Sequence, residues 1–260
     1  MIGLLLGLAA AAAAEPAHYQ SSPERRTFTD ERSYDHWSAE YFTKLWSAMK
    51  QDFGEKYLYA TADKALPPPA PGEKRVVFIG DSITDLWNLG HSFPGKPYVN
   101  RGIGGQVTAQ MVVRFQQDVI ALKPAAVVIL AGINDLNGGL QRETDEGIEQ
   151  NMQAMADMAD AHHIKVVFAT IMPVNNYTDN ARNMLTDRDP KRIRAINAWL
   201  AAFCRQRGYG LADYYSATVN RDGLLRTELT KDGLHPLAQG YALMAPIAER
   251  AIARALRSAR

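Results

Sequence analysis

The chain has 260 residues, 47% of them hydrophobic and 22% charged, enough apolar material for a sizeable core. A formal net charge of +1 excludes the strongly basic footprint expected of a nucleic-acid binder. One cysteine, Cys204, excludes an intramolecular disulfide and a thiolate zinc cage of the finger type, and its apolar helical setting reads as a buried structural thiol.

The chain opens on "MIGLLLGLAAAAAAEP". Residues 2–14 carry no charge, are too short to span a bilayer and end on small side chains. This reads as a secretory signal over residues 1–14, cleaved after Ala14, and so as an exported protein, periplasmic or secreted. No Lys or Arg precedes the apolar run, so a plain N-terminal tail is the other reading. No lipidation cysteine follows it, and no integral membrane span is expected.

Residues 15–74 read as an N-terminal extension. Trp37, Tyr41, Leu45, Met49 and Phe53 recur four apart, flanked by Phe42 and Trp46. That spacing predicts a helix within 34–60, lying with its aromatic face on the main domain. The stretch "LPPPAPGEK", Leu66 to Lys74, cannot continue a helix and predicts an extended strap.

From Arg75 onward buried-strand runs alternate with helical patterns. The runs are "RVVFIG", "YVN", "AAVVILAG", "IKVVFATI" and "GLADY". The helical faces are Val112/Phe115/Val119/Leu122, Ile148/Met152/Met155/Met158 and Ile193/Ile196/Leu200/Phe203. A last one, Leu237/Tyr241/Met244/Ala248, contains Pro246, which predicts a kink or interruption. Near-continuous apolar strands between helices argue for a parallel sheet of about five strands covered on both faces. The expected fold is a three-layer α/β/α domain over residues 75–260. Such sheets bind ligands beyond the carboxyl ends of their strands.

Those ends carry "GDSITD", "NRGIGGQ", "AGINDLN", "MPVNNYT" and "KDGLHP". Ser82, at a strand-to-helix turn, is a candidate nucleophile or else a helix cap. Five histidines lie at the N-terminus, in an early loop or at a helix-to-strand connection. His235, three residues after Asp232, is the candidate base, with Asp232 to fix its tautomer; the bland reading is an Asp cap with an incidental histidine. The N–H groups of Ser82 and Gly105 and the side-chain amide of Asn134 are candidate oxyanion donors. Taken singly, Gly105 also reads as a tight turn and Asn134 as an Asx turn.

Together these blocks resemble the GDSL family, also called SGNH hydrolases. Ser82 in "GDSIT", Gly105 in "NRGIGGQ", Asn134 in "GIND" and Asp232/His235 in "DGLHP" fall in that family's order over roughly residues 75–250. The chain looks most similar to the platelet-activating-factor-acetylhydrolase-like and bacterial carbohydrate-esterase-like branches. The resemblance implies a flavodoxin-like fold and a Ser-His-Asp esterase with no metal or cofactor. One position departs: Gln106 stands where many relatives carry Asp. No "GxSxG" occurs, so the ordinary α/β-hydrolase elbow is absent.

The expected reaction is hydrolysis of short-chain, acetyl-type esters, with carbohydrate as a candidate carrier. The strand-end loops are small and polar; Asp81, Asn175, Asn176 and Tyr177 are candidate substrate-binding residues. The alternatives are a lysophospholipase or thioesterase with the same triad, and a catalytically silent binding module. The sequence leaves the oligomeric state open.

Overall fold

The structure, a computed structural model, describes residues 49–138 and 143–258. The segment 1–14 expected to be a signal and the aromatic stripe Trp37–Trp46 lie outside the described residues. Five strands form one sheet: β1 (Val76–Gly80), β2 (Tyr98–Gly102), β3 (Ala126–Leu130), β4 (Lys165–Ala169) and β5 (Gly210–Ala212). Their order is β2-β1-β3-β4-β5 and every pairing is parallel. The larger helices are α1 (Tyr57–Ala65), α2 (Ser82–Asp85), α3 (Thr108–Asp118), α4 (Ile133–Asn137), α5 (Asp145–Ala161), α6 (Pro190–Arg207) and α7 (Ala238–Arg257). The expected three-layer architecture is what the chain adopts.

Strand alternation divides the core in two. Val77, Ile79, Val127, Ile129, Val166 and Phe168 pack with residues of α3, α5 and α6, among them Met111, Phe115, Met152 and Leu200. Val76, Phe78, Val128, Leu130 and Val167 face the other way, onto Met244, Ala248 and Ile252 of α7. Each fully buried side chain of this size stabilises the fold by about 1.5–3 kcal/mol. Cys204 lies in the first of these layers, and burial pushes its thiol up to about 12.

Two local expectations are corrected. The helix expected within 34–60 does not run through to residue 60. Residues 49–51 are helical, the chain then turns, and α1 starts afresh at Tyr57. Asp52 makes the turn: its carbonyl accepts from Glu55 N at 2.9 Å and its carboxylate from Tyr57 N at 3.1 Å. Glu55 takes a φ of +52°, which no helix tolerates, and Phe53 is left 43% exposed. The second is the interruption expected at Pro246, which sits inside α7 without ending it. Pro246 and Ala242, whose carbonyl loses its helical donor, are both on the exposed side, where water can replace the bond.

The described part of the extension does pack on the domain, along edge strand β2. Arg101 on β2 is fully buried, pairs with Asp63 of α1 at 2.6 Å and lies over the Tyr59 ring at 4.6 Å. The Tyr59 hydroxyl donates to Gly102 O at 2.5 Å. An edge strand covered this way is closed to pairing with another chain. The strap joins in through Leu66, which is buried, and through Arg75, which donates to Pro67 O at 2.8 Å.

Candidate active site

Strand order reverses between β1 and β3: the chain leaves β1 for β2 on one side and returns to β3 on the other. The site straddles that switch point, with Ser82 just beyond β1 and Asn134 just beyond β3. Asp81 ends the strand and caps α2, its Oδ1 accepting from Ile83 N at 2.9 Å. Ser82 is thereby the first residue of a helix, and its own N–H has no acceptor among the described residues. Beneath α2 lies an aromatic floor in which Trp87 meets Phe78 edge-on at 5.8 Å and stacks on Tyr241 at 5.3 Å. The Tyr241 hydroxyl donates to Ile83 O at 2.9 Å, tying α7 to the nucleophile turn.

The last loop reaches the same rim. Ser82 Oγ lies 2.9 Å from His235 Nε2, across 153 residues of chain. His235 Nδ1 lies 2.5 Å from Asp232 Oδ2. Asp232 Oδ1 accepts from the backbone N–H groups of Leu234 and His235, at 2.9 and 2.8 Å. Burial works against charge on Asp232, yet His235 and these hydrogen bonds together hold its carboxyl well below the usual carboxylate range. Gly233 shapes the loop: its φ is +80°, and a Cβ there would stand 1.9 Å from Asn175 O.

The loop after β2 closes the third side. Ile103 to Gln106 is a four-residue turn closed by Gln106 N donating to Ile103 O at 3.3 Å. Gly105, with φ +78°, occupies the third position, which a type II turn reserves for glycine. Asn134 Nδ2 donates one of its two amide hydrogens to Gln106 O at 3.1 Å. The neighbouring Asp135 accepts from Thr108 N, locking α4 onto the start of α3; burial pushes its carboxyl up to about 6.

The residues expected to bind substrate are placed variously. Asp81 is fully buried, and burial pushes its carboxyl up to about 7. Asn175 faces inward; its amide donates to Leu225 O at 2.6 Å and its N–H to Gly233 O at 2.8 Å, so it braces the His235 loop. Asn176 is exposed. Tyr177 is 44% exposed, with its hydroxyl on Thr230 O at 2.7 Å.

Sequence reasoning missed Arg188. It is buried, its Nε has no hydrogen-bond partner among the described residues, and its charge acts on both Asp81 and Asp232. Burial pulls its guanidinium below the ordinary arginine range, and those carboxylates together with Asp187 pull it back. Nothing in the run "TDRDPKR" marks one arginine as buried. Among the described residues no group of three His, Cys, Asp or Glu side chains is placed to hold a metal, and no helix is long and apolar enough to cross a membrane.

Comparison with known proteins gives this geometry a lineage. Residues 78–243 match the GDSL-like Lipase/Acylhydrolase family. A Bacteroides fragilis protein crystallised as a candidate acylhydrolase is 37% identical, with a TM-score of 0.74 covering 79% of this chain and 99% of that one. A GDSL-like lipase from Bacteroides thetaiotaomicron is 35% identical, with a TM-score of 0.72 covering 78% of this chain and all of that one (100%). The esterase TesA of Pseudomonas aeruginosa is 29% identical over 138 residues, which are 53% of this chain and 60% of TesA. The family match takes in well over half of the sequence, and on that ground the chain belongs to the GDSL-like lipase/acylhydrolase family of ester hydrolases.

Proposed function

We propose that the protein is a serine esterase that removes short acyl groups, acetyl foremost, from polar carriers such as carbohydrates. The observation that carries the reading is the unbroken contact from Ser82 Oγ to His235 Nε2 at 2.9 Å and from His235 Nδ1 to Asp232 at 2.5 Å. A hydroxyl is a weak nucleophile until a base takes its proton. Ser82 attacks the ester carbonyl as its proton passes to His235 Nε2. Asp232 holds the ring in the tautomer that leaves Nε2 free and stabilises the imidazolium.

The tetrahedral oxyanion receives the Ser82 and Gly105 N–H groups and the second Asn134 amide hydrogen. Collapse expels the alcohol, which takes the proton from His235. A water then repeats the sequence on the acyl-enzyme, with His235 again as base and Ser82 as leaving group.

A small acyl group is supported by access. Ser82 is 6% exposed, Asn134 6% and His235 8%, so these residues present little surface to solvent. A polar carrier is supported by the exposed Asn176 and Tyr177 beside the His235 loop. The apolar segment 2–14 supports action outside the cytosol, which fractionation of the expressing cell checks.

Ser82→Ala is expected to fold and to lose turnover of 4-nitrophenyl acetate. A fluorophosphonate probe is expected to label the parent at Ser82. Retained turnover removes Ser82 from this role, and no labelling of a folded parent favours a binding module. A series of acyl esters tests the acyl preference: faster turnover of long chains than of acetate points to a lysophospholipase or thioesterase instead.

A further inference from the structure

Gln106 follows the candidate oxyanion glycine, and its side chain points away from the site into the protein. It is fully buried and every polar atom of its amide is engaged. Nε2 donates to Gly54 O at 3.0 Å and to Glu55 Oε2 at 3.2 Å. Oε1 accepts from Arg114 Nε at 2.6 Å. The same residue's carbonyl holds the Asn134 amide at 3.1 Å. One residue therefore joins the Gly105 turn, Asn134 and the N-terminal extension.

Arg114 carries the connection to the nucleophile. Its Nη2 donates to Gly80 O at 3.0 Å, two residues before Ser82, and its Nη1 to Arg101 O at 2.7 Å and to Asp118 at 2.9 Å. Glu55, Arg101, Gln106, Arg114 and Asp118 are all fully buried. In so dry a setting a donor without its acceptor is costly, so the network holds one arrangement. Tyr59 adds a second tie from the extension, on Gly102 O, at the root of the same turn. Both ties come from residues 54–59, outside the segment 78–243 that matches the family.

We infer that the segment Phe53–Asp63 is a strut for the oxyanion turn and that Gln106 is the positioning residue through which it acts. An oxyanion donor works only when aimed in advance, and a displacement of about 1 Å costs about 10²-fold in rate. The strut fixes the Gly105–Gln106 peptide on one side and the Asn134 amide on the other. It bears on the transition state, where charge sits on the oxyanion, far more than on substrate binding. This inference rests on the esterase reading above.

The test is steady-state hydrolysis of 4-nitrophenyl acetate by the full chain, with Tm measured beside it. Gln106→Glu keeps shape and the bond from Arg114 but loses both donor bonds to the extension. Its kcat is expected to fall about 10–100-fold with KM within about 2-fold of the parent. Tyr59→Phe keeps its packing on Arg101, loses one bond, and is expected to lower kcat several-fold, again without a change in KM. Gln150→Ala removes an exposed contact with Glu146 Oε1, 3.0 Å, within α5, that touches neither the strut nor the turn, and is expected to keep parental kcat.

A purely structural role would lower Tm and leave kcat alone; that result for Gln106→Glu overturns the inference. Should Gln106→Glu fail to fold, parental kcat in Tyr59→Phe overturns it. Ser82→Ala is assayed in parallel. If it is inactive while the strut variants turn over normally, the strut alone is refuted. If it stays active, the reading of Ser82 as the nucleophile falls.

Discussion

Asp232 holds His235 at two points: Oδ2 lies 2.5 Å from the ring Nδ1 and Oδ1 lies 2.8 Å from the backbone N–H. Ring and backbone are fixed by one carboxylate, so the imidazole cannot pivot away from Ser82 without breaking the turn. Asp232→Asn replaces an acceptor on at least one side by an amide donor. Facing Nδ1, that donor favours the tautomer with the proton on Nε2, where it cannot accept from Ser82. The expected result is a folded protein whose kcat falls about 10²–10⁴-fold. A one-dimensional proton spectrum should lose the downfield imidazole N–H resonance, and parental kcat would refute the arrangement.

Asn134 Nδ2 gives one amide hydrogen to Gln106 O, and the other is the candidate oxyanion donor. Asn134→Ala removes a candidate oxyanion donor and strands a buried carbonyl. The expected loss is about 10²–10³-fold in kcat with KM changed by no more than about 2-fold, because the donor matters most when charge develops. Labelling of the variant by a fluorophosphonate should slow in parallel, since the phosphonyl oxygen occupies the same place.

The strand-end chemistry was legible because each buried run stops abruptly on polar residues. "VVFIG" gives way to Asp81 and Ser82, and "AVVIL" leads within four residues to Asn134. The fold class followed from the same alternation. Residues whose role depends on tertiary placement were not legible. In the sequence Gln106 is only the position that departs from the relatives' Asp, and nothing near it announces Gly54 or Glu55 as partners. Asn175 reads as a candidate substrate-binding residue because its partner, Leu225 O, is 50 residues away. The break at 52–56 was lost because the four-residue aromatic spacing runs on through Met49 and Phe53, while the turn chemistry of Asp52 and Gly54 is local and stronger.

Asp63 makes the extension thermodynamically part of the domain. Its carboxylate is the partner of a guanidinium with no exposed surface, and Asp63→Ala leaves that charge buried and unpaired. The expected destabilisation is about 3–5 kcal/mol, read as a lower urea midpoint with an unchanged m-value. Replacing both partners with apolar residues, Asp63→Leu with Arg101→Met, is expected to cost much less than the single change, because no orphan charge remains. A loss below about 1 kcal/mol for Asp63→Ala would mean that α1 is only loosely held on β2.

Asp81 sets a pH dependence of stability. Burial raises its carboxyl from 3.8 to about 7, against the pull of its bond to Ile83 N, and its Oδ2 has no hydrogen-bond partner among the described residues. The folded state therefore binds this proton more tightly than the unfolded chain does. Asp81 supports stability fully below pH 3.8, and that support is lost as pH rises toward 7. Asp81→Asn keeps a capping oxygen for Ile83 N and cannot ionise. The variant should therefore match the parent at acidic pH and exceed it by a few kcal/mol, on the order of the shift, in the alkaline range. Urea melts at pH 4 and pH 8 check this. An Asp81→Asn gain that is equal at both pH values would show that the carboxyl titrates normally, and would return the capping aspartate to an ordinary ionised role beside Ser82.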